Sequence, residues 1–257
     1  MKPGFKYIYG PVPSWRLGSS LGIDPVSKGR KVCSFDCIYC QVGKTGFPTD
    51  ERRMFVPCDD IVQELRALPS LDIDYLTFSG ACEPTLAKNL GEMIKAVKQI
   101  RKEKVVVLTN ASLLHREDLR QDLALADFVV AKLDAPSEEI FVKINQPIKT
   151  ITFEHIVSGI KAFKQSYQGR LALQIMFVAQ NKAVAQDISR IAHEIHPDEV
   201  QINTPLRPCA VSPLSEAEIN KIISYFRGLN VVSVYDAIKK DVQPISGKAT
   251  LKRRGKI

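Results

Sequence analysis

Val105-Val106-Val107-Leu108-Thr109-Asn110 sets four consecutive apolar residues ahead of two polar ones. Side chains of a strand alternate between its two faces, so a strand that is apolar throughout is buried on both, as in a parallel sheet covered by helices. Similar runs recur at residues 30–34, 75–79, 128–134, 171–178 and 200–203. Between them, residues 59–68, 86–101, 116–124, 153–167 and 184–195 carry apolar side chains at helical spacing. Six strand–helix steps predict an α/β fold, either an open barrel or a doubly wound sheet, and periodicity does not choose between them. In both, the working residues stand just past the carboxyl ends of the strands. There the chain places Cys33 to Cys40, Gly80 to Glu83, Asn110, Asp134, Gln180-Asn181 and Asn203 to Arg207. Asn110 or Asp134 alone could simply cap a turn or a helix. Polar groups converging on the ends of six different strands make a pocket.

The chain has 257 residues, 45% of them hydrophobic, enough to bury a full core, and no repeat or linker divides it. With 36 Lys+Arg against 28 Asp+Glu the formal charge is +8, which favours an anionic partner such as nucleic acid. Part of the excess lies in the basic tail, residues 251–257, read either as a solvated terminus or as a contact to a phosphate backbone. No apolar stretch approaches the roughly 20 residues of a membrane span. Met1-Lys2-Pro3-Gly4 opens no signal-peptide pattern, and a cytoplasmic location is expected. In a reducing compartment the six cysteines read as metal ligands or reactive thiols rather than disulfides.

Lys31-Val32-Cys33-Ser34-Phe35-Asp36-Cys37-Ile38-Tyr39-Cys40 puts three thiols at spacings that let one loop wrap a metal centre. Thiolates are the ligands of iron–sulfur clusters, and three of them on a cubane leave one iron open to a small molecule. Structural zinc takes four protein ligands, and none of His115, His155, His193 and His196 stands at finger-like spacing from the motif. The pattern therefore favours a cluster over zinc or three incidental buried cysteines.

Cys33, Cys37 and Cys40, with Tyr39 before the last, resemble the signature of the radical S-adenosylmethionine (SAM) superfamily. Phe78-Ser79-Gly80-Ala81-Cys82-Glu83-Pro84 resembles that family's loop for the SAM amino group, with Cys82 where the family pattern has Gly. Segments 107–110, 132–135, 143–147 and 201–208 resemble the subgroup that includes tRNA wyosine synthases. The resemblance implies a partial (β/α)6 TIM-like radical SAM barrel with short N- and C-terminal extensions. It implies one domain over residues 1–257, with a core of about 28–208 and a C-terminal extension over 209–257 at the open side. It further implies a 4Fe–4S cluster on Cys33, Cys37 and Cys40, reductive cleavage of SAM to a 5′-deoxyadenosyl radical, and hydrogen abstraction from a substrate. Tyr39, Gly80, Ala81, Glu83, Asn110, Asp134 and Asn203 are the implied SAM-side residues. An electron donor such as flavodoxin or ferredoxin is the implied partner.

Cys58, Cys82 and Cys209 fall on the same expected face, so they are candidates for a second iron–sulfur cluster or, for Cys82 and Cys209, a reacting thiol; they also read as small buried hydrophobes. Lys132 and Asp134 are further candidate catalytic groups. The substrate is read as a tRNA base or, alternatively, a protein, peptide or small metabolite. An electron-transfer protein without SAM chemistry is the reading from another class.

Overall fold

The protein was analysed as a computed structural model, which describes residues 5–236 and 240–254. Ten strands occur among them: β1 (Ile8–Ser14), β2 (Gly18–Ile23), β3 (Val32–Cys33), β4 (Phe47–Pro48), β5 (Tyr75–Phe78), β6 (Lys104–Thr109), β7 (Phe128–Lys132), β8 (Arg170–Met176), β9 (Glu199–Asn203) and β10 (Val231–Ser233). Eight form one curled sheet in the order β1-β2-β5-β6-β7-β8-β9-β10. Only the β1–β2 hairpin is antiparallel; every other neighbouring pair runs parallel. The helices on the outer face are α1 (Cys58–Arg66), α2 (Leu90–Ile100), α3 (Glu117–Leu123), α4 (Glu138–Asn145), α5 (Phe153–Ser166), α6 (Ala185–Ile195) and α7 (Glu216–Ile223), with α8 (Gly247–Arg254) near the chain end. The fold is a half-barrel of the α/β class, as expected.

The central strands show why a continuous apolar run means two buried faces. Val105 and Val107 of β6 join the large core beneath the helices. Val106 points the other way, into a small core with Leu17, Phe128, Val130 and Ala172 that fills the inside of the curl. Helix ends are set locally: Thr152 with His155 and Ser215 with Glu218 form capping boxes that satisfy the first amides of α5 and α7.

Three expectations need correction. Residues 30–34 are not the first barrel strand: only Val32 and Cys33 are extended there, pairing with Phe47 and Pro48 in a separate two-stranded sheet. The first parallel strand is β2, Gly-Ser-Ser-Leu-Gly-Ile, so the sheet begins well before residue 28. Its small residues are poor strand formers, but the fold needs them small: a Cβ on Gly22 would lie 2.1 Å from the Tyr9 ring. The C-terminal part is likewise more than an appendage, because β10 extends the sheet and α8 packs on β1. Within the basic tail, Arg253 is neither solvated nor free for a phosphate backbone. It is buried, with Nε 3.1 Å from Asp24 Oδ2 and Nη2 donating to Ser27 Oγ at 2.9 Å. Residues 255–257 of that tail, and Met1 to Gly4, lie outside the described residues. No described helix is long and apolar enough to cross a membrane.

Candidate functional site

The cysteine loop leaves β3 and is strapped to the end of α4. The Asp36 amide reaches the carbonyls of Asn145 and Gln146 at 3.1 Å, the Ile38 amide reaches that of Ile144 at 3.0 Å, and the Phe35 ring meets Phe141 edge-on. Gln146 can offer its carbonyl there because it ends α4 in the left-handed region, φ 45°. Thr45 closes the loop from the far side, its amide 2.7 Å from Asp36 Oδ1 and its hydroxyl 2.6 Å from the Phe35 carbonyl.

Cys33, Cys37 and Cys40 line one pocket of about 180 Å³, whose opposite walls are Gly80, Ala81, Cys82 and Glu83 after β5, Asn110 after β6, Lys132 on β7 and Gln174 on β8. Each thiol has a polar neighbour: Asn110 Nδ2 lies 3.6 Å from the Cys33 sulfur, Asn145 Nδ2 3.5 Å from Cys37, and Lys31 Nζ 3.1 Å from Cys40. Burial pushes the Cys33 thiol up, with the Glu83 charge adding to the rise, and pushes Cys37 up to about 11, with Asp134 adding. Thiolates in such a place need a metal cation beside them. No group of three or more His, Cys, Asp or Glu among the described residues closes around a single ion. Zinc needs its sulfurs to converge about 2.3 Å from one point. Three soft donors spread round a pocket wall suit a multi-iron cluster better.

Glu83 is buried, which raises its carboxyl, yet it is well supplied with donors. Oε1 accepts from the Thr85 amide at 3.2 Å and from the Thr85 and Thr109 hydroxyls at 2.7 Å, and Oε2 accepts from the Asn110 amide at 2.8 Å. Oε2, with a single donor, keeps capacity toward the pocket. Two backbone positions beside it are unusual. Gly80 has φ 153° and a Cβ there would lie 2.6 Å from the Asp24 carboxyl carbon, so only glycine fits. Ala111, with φ 66°, holds a left-handed conformation uncommon for alanine, fixed by Asn110 Oδ1 accepting from the Ser112 amide at 3.0 Å.

Tyr39, Asp134 and Asn203 are not on the pocket wall. The Tyr39 hydroxyl donates to Asp134 Oδ2, which also accepts from Asn145 Nδ2 at 2.8 Å, while Oδ1 accepts from the Met176 amide at 2.8 Å and lies 3.4 Å from Lys132 Nζ. Asp134 is thus a buried junction that ties the cysteine loop to β7 and β8, and Tyr39 is held by its hydroxyl with Lys132 Nζ 4.9 Å above its ring. Asn203 ends β9 with its carbonyl accepting from Phe177. Lys132 does face the pocket, beside Gln174, which sequence reasoning passed over. The signal available was a lone glutamine inside the apolar run of β8.

Cys58, Cys82 and Cys209, the candidates for a second centre, lie in three different surroundings. Cys58 opens α1 against Glu92 of α2, and burial pushes its thiol up to about 11. Cys82 lines the pocket, its sulfur 3.3 Å from the Val32 amide, and burial pushes it likewise to about 11. Cys209 packs with Tyr39, Met176 and Val178 and borders an outer cleft of about 630 Å³ that shares Cys37 and Cys40 with the inner pocket.

A model of the radical SAM superfamily matches residues 30–189. A UPF0026 protein of Synechocystis sp. is 41% identical over 209 residues, which are 81% of this chain and 78% of that relative. Among solved structures, SuiB of Streptococcus suis bound to S-adenosylmethionine superposes with a TM-score of 0.60 at 14% identity, over 79% of this chain and 50% of SuiB. Archaeal TYW1 superposes with a TM-score of 0.58 at 14% identity, over 82% of this chain and 72% of that one. At such identities the likeness is one of fold, and this chain spans about half the length of SuiB.

Proposed function

Since the chain belongs to the radical SAM superfamily, we propose that Cys33, Cys37 and Cys40 hold a 4Fe–4S cluster and that the pocket they line takes SAM for reductive cleavage. The observation that carries this reading is the meeting, in one pocket, of the three thiols with the Gly80–Glu83 loop and Asn110. When bound, the cluster supplies one electron to SAM, which then becomes the source of hydrogen-atom abstraction from a substrate. The chain's own residues position and enclose. Asn110, Asn145 and Lys31 place donors against the sulfurs and so orient the three thiols. Glu83 presents Oε2 to a cationic amino group, and Gly80 and Ala81 let the backbone approach it. Asp134 holds Tyr39 and Lys132 so that the cysteine loop keeps one shape.

The test is release of 5′-deoxyadenosine by reduced, anaerobically reconstituted protein given SAM. Replacing any of Cys33, Cys37 or Cys40 with Ala is expected to abolish both the release and the brown cluster absorbance. An intact cluster with no release from the unaltered protein, whatever the reductant, would instead mean electron transfer without SAM chemistry.

The reaction also needs a one-electron donor, for which a flavodoxin or ferredoxin is suited; the outer cleft beside Cys37 and Cys40 is an available approach. For the substrate, a tRNA base retains the net charge of +8 in its favour. Arg253, held by Asp24, no longer counts toward that reading.

A further inference from the structure

The polar neighbours of the three loop cysteines differ in charge. Cys33 and Cys37 face the side-chain amides of Asn110 and Asn145, at 3.6 and 3.5 Å. Cys40 faces an ammonium, since Lys31 Nζ lies 3.1 Å from its sulfur. That lysine is held at both ends. Its carbonyl accepts from the Gly46 and Phe47 amides at 3.1 and 3.0 Å, where β3 meets β4, and its Nζ donates to the Gly43 carbonyl at 3.1 Å. Its side chain is only 7% exposed, so little water screens the charge. Among the described residues the carboxylate within ion-pair reach is Asp36, with Oδ1 3.7 Å away. That oxygen already accepts from the Thr45 amide at 2.7 Å, and the Asp36 side chain is 38% exposed. Solvent therefore dampens the aspartate more than the lysine, and a positive field remains at Cys40. A protonated thiol is a weak acceptor and a poor match for a buried ammonium, whereas a metal-bound thiolate compensates it.

We propose that Lys31 sets the reduction potential of the cluster, its buried ammonium making the one-electron-reduced state easier to reach. The inference rests on the radical SAM reading for the cluster itself. Reduction takes one electron from the donor, moves no atom, and leaves the cluster with its thiolates one unit more negative. A fixed positive charge against one of those sulfurs stabilises the reduced form more than the oxidised one, so the potential rises. The amides at Cys33 and Cys37 polarise their sulfurs without carrying a net charge. Lys132, the other cation on the pocket wall, lies 3.4 Å from Asp134 and is offset by it. Lys31 is thus a positioning residue that acts through Cys40, and because Cys40 also borders the outer cleft, its charge lies on the side open to a donor.

The experiment is a redox titration of the anaerobically reconstituted protein without SAM, the reduced cluster being counted by its electron paramagnetic resonance signal. Lys31→Gln removes the charge and keeps a neutral donor, Lys31→Met removes both, and Lys31→Arg keeps the charge. Lys31→Gln and Lys31→Met are each expected to lower the reduced-to-oxidised ratio at a fixed solution potential by at least about tenfold, a shift of about 59 mV for a one-electron couple. Lys31→Arg is expected to stay near the unaltered protein, as is Lys44→Gln, which removes an equal charge from an exposed position on the same loop. An unchanged midpoint in Lys31→Gln with the cluster intact overturns the proposal. So does an equal fall in Lys44→Gln, which would make the effect one of net charge. Should Lys31→Met not hold the cluster, Lys31→Gln carries the test, and loss of the cluster from both would overturn the proposal in favour of a loop-closing role. Absence of any cluster from the unaltered protein is a different failure, which would sink the radical SAM reading and this inference with it.

Discussion

Glu83 illustrates how one side chain serves both a loop and a ligand. Its carboxylate organises Thr85, Thr109 and Asn110, while its own amide donates to the Val32 carbonyl at 3.0 Å beside Cys33. Hydrogen bonds to charged groups are worth about 1.5–3 kcal/mol, or roughly 10- to 100-fold in affinity. Glu83→Ala is therefore expected to weaken SAM binding by at least tenfold in equilibrium titration while the cluster absorbance persists. Loss of that absorbance would show that Glu83 acts on the cysteine loop rather than on SAM. Glu83 was legible because it stands in a motif, and the three cysteines for the same reason. Gln174 and Lys31 were harder to find: the lone glutamine in the apolar run of β8 belongs to no motif, and Lys31 stands just ahead of one.

Among the elements, the loop after β5 owes its shape to a residue with no motif. Arg52 is buried and donates to the carbonyls of Thr85 and Ala87 at 3.1 Å while Nη1 reaches Asp118 at 2.7 Å and Nη2 pairs with Asp122. Removing one partner from such a network strands carbonyls and charges, at a cost of about 3 kcal/mol or more. Arg52→Ala should lower the urea midpoint accordingly, and Arg52→Lys should recover little, because an ammonium cannot span four acceptors in that plane. A midpoint within error of the unaltered protein would mean the loop is held by Glu83 alone. The β1–β2 hairpin makes a second case. Tyr9 lies over Gly22 with its hydroxyl 2.7 Å from Ser79 Oγ, so the ring has no room to yield. Gly22→Ala is expected to destabilise by about 1–3 kcal/mol through overpacking, measured by the same denaturation. Helices and central strands were readable from periodicity; β2 was not, because its glycines and serines answer to Tyr9 and Thr77 rather than to strand propensity.

For the molecule as a whole, the C-terminal helix is wired to the pocket. Arg253 of α8 pairs with Asp24, both almost wholly buried, and the Asp24 carboxyl abuts the position where any residue but Gly80 would collide. Breaking a buried pair from one side costs about 3–5 kcal/mol, whereas replacing both partners by apolar groups costs far less. Arg253→Met should thus be strongly destabilising and should raise the SAM concentration needed for half-maximal 5′-deoxyadenosine release. Adding Asp24→Leu should restore much of the stability, a coupling that a double-mutant cycle measures. Additive effects in that cycle would refute the link between α8 and the pocket. By itself the sequence determined the α/β alternation, the three-thiol loop and the Glu83 turn, because each is written in residues a few positions apart. Only the tertiary structure decided that β2 opens the barrel, that Arg253 meets Asp24 from 229 residues away, and that Cys82 joins the pocket wall while Cys209 borders the outer cleft. The physical reason is that such meetings depend on the path of the whole chain around its core, and no local spacing encodes that path.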